Sequence, residues 1–159
     1  MQKETQNQSR VKYSSLNYSL WLLGKRAYSE KQIREKLAKK EYPTEEIEAT
    51  VKKLRDLKFL DDLEFARNFI RQATSSKPKG KYRLTMELSQ KGVAKDLIEQ
   101  AISENLTDES KLALDTLKRY GKKFARLDRQ KRFEKSIRFL LARGFSYDDA
   151  KKAYRIIFN

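Results

Sequence analysis

The sequence contains no cysteine and no histidine among its 159 residues. Without cysteine the chain forms no disulfide and carries no reactive thiol, which is compatible with a reducing compartment such as the cytoplasm. Without histidine it lacks the His-based catalytic triads and the common zinc sites. These absences disfavour an enzyme that uses thiol or histidine chemistry or a common zinc site, and we expect no cofactor.

Glycine and proline are also scarce, with five and two residues respectively. A β fold with many tight turns needs more of both, so their scarcity favours long helices. No stretch approaches the roughly 18 apolar residues that span a bilayer. The N-terminal residues are polar and lack the apolar core of a secretion signal. These features predict an all-α, cytoplasmic protein that has no membrane partner.

One short phrase recurs three times, over residues 37–51, 88–102 and 140–154. In each copy a leucine is followed four residues later by Gly or Glu and then by a bulky apolar residue. The aligned triplets are Leu37, Glu41 and Tyr42; Leu88, Gly92 and Val93; Leu140, Gly144 and Phe145. Such self-similarity predicts a repeat architecture. Glycine permits a left-handed turn, so Glu41 predicts a different turn, shaped by Pro43.

Apolar residues spaced three and four apart predict about nine helices in three sets of three. Ser15 is the expected N-cap of the first helix. Capping-box patterns mark three further helix starts: Ser29 with Gln32, Asp61 with Glu64, and Ser146 with Asp149. We therefore predict a flexible segment over residues 1–14, followed by three-helix, helix-turn-helix-like repeats over 15–59, 60–106 and 107–159.

Four stretches in this order resemble the RecX family of recombinase regulators. They are SEKQIREKL at 29–37, FLDDLEFA at 59–66, GKYRLTMELSQKG at 80–92 and RGF at 143–145. The resemblance implies three tandem modules in an elongated, curved molecule. It also implies a non-enzymatic protein that lies in the groove of the RecA–DNA filament and inhibits its ATPase, recombinase and strand-exchange activities.

The charge of the chain is strongly basic, with 37 Lys and Arg against 22 Asp and Glu and a net charge of +15. Two regions concentrate this excess. Residues 67–95 hold eight basic residues against one acidic residue, and residues 111–135 hold ten against three, so each has a net charge of +7. A DNA-loaded filament or an acidic protein groove is the natural counterpart of such regions.

The candidate residues for contact with the filament or DNA are the basic side chains of these two regions. They are Arg71, Lys77, Lys79, Lys81, Arg83, Lys118, Arg119, Lys122, Lys123, Arg126, Arg129, Lys131 and Arg132. The rings of Tyr82, Tyr120 and Phe124 interleave with them, and we expect these rings to close small cores rather than to stack on bases. The expected partners are the RecA filament and, weakly, single- or double-stranded DNA, bound by a monomer.

The alternative is a helix-turn-helix regulator that reads the major groove of DNA. A recognition helix presents Arg, Asn or Gln near its N-terminal end. The third helices instead begin with TEEIE, AKDLIE and SYDDAKK, and these acidic starts face phosphates unfavourably. A nuclease is disfavoured by the missing histidine. The acidic trio Asp61, Asp62 and Glu64 is explained better by helix capping than by a metal.

Overall fold

The computed structural model describes residues 13–75 and 78–158. Over these residues the chain forms nine α-helices and one short 3-10 helix and contains no strand, which confirms the all-α prediction. The helices are α1 (Ser15–Leu23), α2 (Glu30–Lys39), α3 (Thr44–Asp56), α4 (Asp62–Ser75), α5 (Lys81–Gln90), α6 (Lys95–Asn105), α7 (Glu109–Tyr120), α8 (Arg129–Leu141) and α9 (Tyr147–Phe158); the 3-10 helix Gly121–Phe124 follows α7.

The chain divides into two compact units, the first ending at Leu60 and the second beginning at Asp61. The first unit contains α1–α3 and the second contains α4–α9. No helix within the described ranges is long and apolar enough to cross a membrane. Of the predicted flexible segment 1–14, all but the last two residues lie outside the described residues.

Buried apolar side chains of the described residues collect in three clusters, each built from three helices. In the first unit Ile33, Leu37 and Leu54 form the centre of one cluster. The second unit holds two clusters, one around Leu84 and Leu88 and another around Leu117, Leu140 and Phe145. Apolar burial of this kind is the main stabilising contribution to each helix set. We propose a division into module 1 (15–59), module 2 (60–106) and module 3 (107–159), and the three clusters follow it except at Leu60, which is buried in the first cluster.

The recurring phrase forms the turn between the second and third helix of each module. After the turn, each bulky apolar residue is buried, and its N–H donates back to the carbonyl of the aligned leucine. These bonds join Tyr42 N to Leu37 O at 3.3 Å, Val93 N to Leu88 O at 3.1 Å and Phe145 N to Leu140 O at 3.2 Å. The backbone φ is +83° at Gly92, +87° at Gly144 and +61° at Glu41. The prediction of a different turn at Glu41 is therefore wrong, because the glutamate adopts the same left-handed conformation.

Side-chain caps fix the starts of several helices. The capping box of α2 is confirmed, with Ser29 and Gln32 exchanging hydrogen bonds of 3.2 Å in both directions. Asp61 accepts from the N–H of Glu64 at 3.0 Å, and Ser146 accepts from the N–H of Asp149 at 3.0 Å, as predicted. The N-cap of α1 is Ser14 and not Ser15. Ser15 is instead buried within the helix, where its hydroxyl lies 2.7 Å from that of Thr50.

Candidate nucleic-acid and protein interface

The segment 78–83, which enters α5, lies directly on the turn between α8 and α9. The N–H of Gly80 donates to the carbonyl of Arg143 at 2.8 Å, and the N–H of Tyr82 donates to the carbonyl of Gly144 at 3.2 Å. A Cβ atom on Gly80 would lie 2.3 Å from the carbonyl oxygen of Gly144, which is closer than real Cβ contacts come. Glycine at position 80 thus allows the two backbones to touch, and this contact joins modules 2 and 3 within the second unit.

Two carboxylates reinforce this joint. The N–H of Lys81 donates to Glu109 Oε1 at 2.8 Å. Burial raises the pKa of Glu109 and the nearby Asp149 adds to this, whereas the hydrogen bond from Lys81 opposes it; the net pKa is raised. Asp149 in turn accepts from the hydroxyls of Ser110 and Ser146. The start of α5 is therefore attached to the start of α7, which is in turn attached to the start of α9.

Two of the candidate cations in segment 78–83 are engaged inside the protein. Lys79 Nζ lies 2.5 Å from one oxygen of Glu87, and Arg83 Nε lies 2.9 Å from the other. Arg83 also donates to the carbonyl of Ala142 at 3.0 Å. Burial raises the pKa of Glu87, but the hydrogen bonds from Lys79 and Arg83 outweigh it and the net pKa is lowered. Arg83 therefore helps to hold the joint, and Glu87 compensates one of the two positive charges of Lys79 and Arg83.

Lys81 differs from Lys79 and Arg83 because its exposed side chain forms no ion pair with a described residue, and the side chain of Tyr82 is exposed too. The Tyr82 ring is 69% exposed, so the prediction that it closes a core is wrong. For Phe124 the same prediction is confirmed, since only 8% of this residue is exposed. Tyr120 lies between these extremes. Segment 78–83 thus presents one lysine and one ring to a partner.

The second basic region follows the end of α7 and continues into α8. Lys118 and Arg119 end α7, Lys122 and Lys123 lie on the 3-10 helix, and the remaining candidates lead into the first turn of α8. Over the described residues, four of these exposed side chains form neither an ion pair nor a contact with an aromatic ring: Lys118, Lys122, Arg126 and Arg129. Lys131 lies 3.5 Å from Asp128, an exposed contact that contributes little. This region therefore keeps most of its positive charge available.

Aromatic rings lie beneath several of the other cations. Lys123 Nζ lies 5.1 Å from the centre of the Phe124 ring, and the Arg119 guanidinium lies 5.3 Å from that of Tyr120. Arg132 lies 5.2 Å from the Phe158 ring. Such contacts hold a cation by its attraction to the ring face and leave its charge uncompensated. Arg119, Lys123 and Arg132 can therefore still attract an anion.

Arg143 connects the two basic regions. Its guanidinium lies 4.6 Å from the centre of the Phe139 ring and 5.1 Å from that of Tyr120. The same side chain donates to the carbonyl of Pro78 at 3.5 Å. Segment 78–83 and the end of α7 are therefore neighbours, although about 40 residues separate them. In the sequence Arg143 is recognisable only as part of the RGF motif. Nothing in a single sequence indicates that it contacts Tyr120 and Pro78.

Arg71 does not add an unpaired charge to this arrangement. Arg71 is paired with Glu64 at 2.9 Å on its own helix. Lys77 lies outside the described residues. Arg67, which contributes to the charge of the same region, forms two hydrogen bonds of 2.6 and 3.0 Å with Glu104 and so attaches α4 to α6. These bonds, with one from Gln100, lower the pKa of Glu104 to about 2.

The alternatives gain no support from the described residues. Within them, no group of three or more His, Cys, Asp or Glu side chains could hold a metal ion, and Asp61 acts as a cap. The third helices begin with acidic first turns, containing Glu45 and Glu46 in α3 and Asp96 in α6. Asp148 and Asp149 occupy the same place in α9. An acidic first turn repels the phosphates that a recognition helix must approach.

These features define a basic protein of tandem three-helix modules whose second unit carries an accessible cationic surface. Family comparisons agree with this class. Residues 16–54 match the model of the RecX first three-helix domain, and residues 61–102 match that of the RecX second three-helix domain. The regulatory protein RecX of Vibrio parahaemolyticus is 36% identical over 140 residues, covering 88% of this chain and 89% of that protein. The chain belongs to the RecX family.

Further relatives have the same name and fold. The regulatory protein RecX of Prosthecochloris aestuarii is 47% identical over 90 residues, which are 57% of this chain and 60% of that protein. The crystal structure of RecX from Lactobacillus salivarius superposes with a TM-score of 0.80 at 21% identity, over 90% of this chain and 94% of that chain. The resemblance found in the sequence is thereby confirmed, and the chain has the fold and regulatory class of this family.

Proposed function

We propose that this protein is a non-enzymatic regulator that binds the RecA–DNA filament and inhibits its ATPase, recombinase and strand-exchange activities. The regulatory class comes from its family, and the relatives that it matches are named regulatory protein RecX. The filament is the proposed target because it presents phosphates and protein carboxylates along one continuous groove. A chain of basic modules complements such a groove at several places at once.

One observation carries the proposal: the cations at the end of α7 and in the following link remain unpaired within the described chain. Lys118, Lys122 and Arg126 are exposed, and no carboxylate of the described residues neutralises them. Keeping several like charges together costs folding free energy unless a partner compensates them. Their persistence on one surface therefore favours an anionic partner over a merely solvated helix face.

The joint between modules 2 and 3 gives this surface a fixed geometry. Backbone hydrogen bonds from Gly80 and Tyr82 to the α8–α9 turn leave little freedom between the two modules. Contacts that are held in a fixed arrangement lose less entropy on binding. Bound across neighbouring protomers, such a rigid body opposes the movements that couple ATP hydrolysis to strand exchange. Inhibition thus requires binding but no chemistry by this protein.

The direct test is a titration of the protein into a reaction containing RecA, single-stranded DNA and ATP, with ATP hydrolysis followed throughout. We expect hydrolysis to fall as the protein is added and to reach half-inhibition at lower concentration when salt is reduced. Unchanged hydrolysis at saturating protein would contradict the proposal. The DNA-reading alternative is tested in parallel by comparing affinity for the filament with affinity for naked DNA at physiological salt. Equal affinities would favour that alternative.

A further inference from the structure

An exposed tryptophan and a half-buried tyrosine lie next to each other in module 1. Trp21 is 57% exposed, although tryptophan usually buries its large apolar area. The Tyr18 ring stacks beside it at 6.0 Å between ring centres, with an angle of 18° between the planes. Both residues belong to α1, three positions apart, so that they share one helix face. The two ring planes are nearly parallel, and the indole of Trp21 is the exposed apolar part of the pair.

Two lysines lie over these rings. Lys25 Nζ is 4.5 Å from the centre of the Trp21 ring, and Lys40 Nζ is 5.7 Å from that of the Tyr18 ring. Both lysines are exposed and form no ion pair with a described residue. We call these four residues, Tyr18, Trp21, Lys25 and Lys40, the Trp21 platform. It combines flat apolar rings with uncompensated positive charge.

Elsewhere in module 1 the positive charges are paired with carboxylates. Glu30 receives hydrogen bonds from Arg34 at 3.3 Å and from Arg55 at 2.7 Å, and Arg34 also binds Glu48 at 2.9 Å. There each arginine meets a carboxylate, which is how a solvated helix surface compensates its charges. The lysines of the Trp21 platform contact rings instead. Module 1 thus has one charge-compensated surface and one surface that lacks an anion.

Helix termination explains part of this arrangement but not all of it. Lys25 and Lys40 follow the C-terminal ends of α1 and α2, where cations offset the carbonyl dipoles. That role needs no ring, and it leaves the exposure of Trp21 unexplained. A ligand that has both a flat apolar face and a negative charge would satisfy the rings and the lysines together. The nucleotide of a single strand is such a ligand, because its base is unstacked and its phosphate is adjacent.

We propose that the Trp21 platform is a stacking site for unpaired bases of single-stranded nucleic acid, with Lys25 and Lys40 contacting the flanking phosphates. The site belongs to the first unit, shares no residue with the cationic surface of the second unit, and does not depend on inhibition of a recombinase. Duplex DNA hides the faces of its bases within the helical stack, so the platform discriminates single strands from duplexes. Sequence preference is weak because every base offers a flat face.

The chain supplies its own reporter, since Trp21 is its single tryptophan. Tryptophan fluorescence of the full chain is followed during titration with a short oligothymidylate, with an abasic oligonucleotide of equal length and with a duplex. We expect strong quenching by the oligothymidylate and little by the other two, because only an unpaired base stacks on the indole. Equal quenching by the abasic strand would show that phosphate contacts alone bring the DNA there. Absence of quenching at concentrations where a labelled strand is bound would also overturn the proposal.

Substitution provides the second measurement, with binding followed by the anisotropy of a labelled oligothymidylate. Trp21→Ala is expected to weaken binding by about five- to a hundredfold, the usual effect of losing one base–aromatic stack. Tyr147→Ala is the matched control, because Tyr147 is 50% exposed and also carries a lysine, Lys151, at 5.9 Å. If the two variants lose affinity equally, the platform has no special role. Inhibition of RecA ATPase, measured on the same variants, reports separately on the proposed function.

Discussion

The two basic regions of the second unit have the same net charge and use it differently. In residues 67–95 the cations are mostly paired: Lys79 and Arg83 with Glu87, Arg71 with Glu64, and Arg67 with Glu104. In residues 111–135 the exposed cations Lys118, Lys122 and Arg126 have no such partner within the described chain. Two regions of equal net charge therefore have different roles. The cations of the first region join helices, and those of the second remain accessible to a partner.

This difference depends on where the acids lie. Residues 67–95 contain a single acidic residue, Glu87, yet it pairs with two cations because it is four residues after Arg83 and lies beside Lys79. Glu64 and Glu104, which neutralise Arg71 and Arg67, come from outside the window. Counting charges within residues 67–95 therefore misses these partners. The second region also has nearby acids, but of these only Asp128 meets a candidate cation, at 3.5 Å from Lys131.

The largest expected effect comes from reversing the accessible charges. We expect the triple variant Lys118→Glu, Lys122→Glu, Arg126→Glu to shift half-inhibition of the RecA ATPase to about a hundredfold more protein. Each exposed contact is worth about 1 kcal/mol at most, and three contacts correspond to roughly two orders of magnitude. All three side chains are exposed, so helix content by circular dichroism should be unchanged.

The matched control reverses three exposed lysines of module 1 that lie outside the Trp21 platform: Lys36, Lys39 and Lys53. This triple changes the net charge by the same amount and should shift half-inhibition only a few-fold. Equal shifts in both triples would show that net charge, and not a placed surface, determines binding. The contrast between the two basic regions would then have no functional meaning.

The joint is tested next, by substitution of the glycine that permits it. Gly80→Ala places a Cβ atom against the carbonyl of Gly144, so the backbones must separate and their hydrogen bonds weaken. We expect a loss of about 1–3 kcal/mol in the free energy of unfolding, the usual cost of overpacking, measured by urea denaturation. Gly24→Ala is the control, since its nearest neighbours would lie at an ordinary 3.5 Å and its φ is negative. If Gly80→Ala has the same free energy of unfolding as the wild-type protein, the backbones at the joint can separate at little energetic cost.

A smaller effect is expected when Glu87 loses its charge. Glu87→Gln keeps the size of the side chain but releases Lys79 and Arg83, which makes region 67–95 resemble region 111–135. We expect the free energy of unfolding to fall by about 1 kcal/mol, because partly exposed ion pairs contribute little. Affinity for the filament should rise a few-fold, as two cations become available. Weaker filament binding at unchanged stability would contradict the division into paired and accessible cations.

Much of the architecture could be predicted from local patterns. Helices follow from apolar spacing and from the caps at Ser29, Asp61 and Ser146, because these interactions join residues close in sequence. The turn at Glu41 was mispredicted because the cost of a left-handed glutamate is small, roughly 1–2 kcal/mol. The burial of Tyr42 after the turn and the backbone hydrogen bond to Leu37 help to offset that cost.

The candidate site was less predictable because its arrangement depends on distant contacts. The basic regions could be identified by counting charges, but the pairing of Lys79 and the link through Arg143 join residues that sequence spacing does not relate. Tyr82 illustrates the same limit, because its neighbour Leu84 is fully buried while its own ring is exposed. Leu84 packs in the cluster of module 2, whereas Tyr82, two residues earlier, lies beside the α8–α9 turn and keeps its ring exposed.

The smallest effect concerns the pH dependence of the paired region. The pKa of Glu104 is lowered from 4.5 to about 2 by its hydrogen bonds with Arg67 and Gln100. Because the folded pKa is below the unfolded one, this pair stabilises the fold fully above about pH 4.5. The contribution is lost as the pH falls towards about 2, where the folded carboxylate becomes protonated.

We therefore expect wild-type protein to be modestly more stable than Glu104→Gln at neutral pH, with the difference shrinking as the pH falls from about 4.5 to about 2. Urea denaturation of both proteins across this range measures the difference directly. Glu99→Gln serves as the control for removing a charge from α6, because Glu99 meets only Lys95 and at 3.8 Å. A difference that stays constant across the range would show that Arg67 is not held by the ionised carboxylate. The first basic region would then owe its joining role to packing and not to its charge pairs.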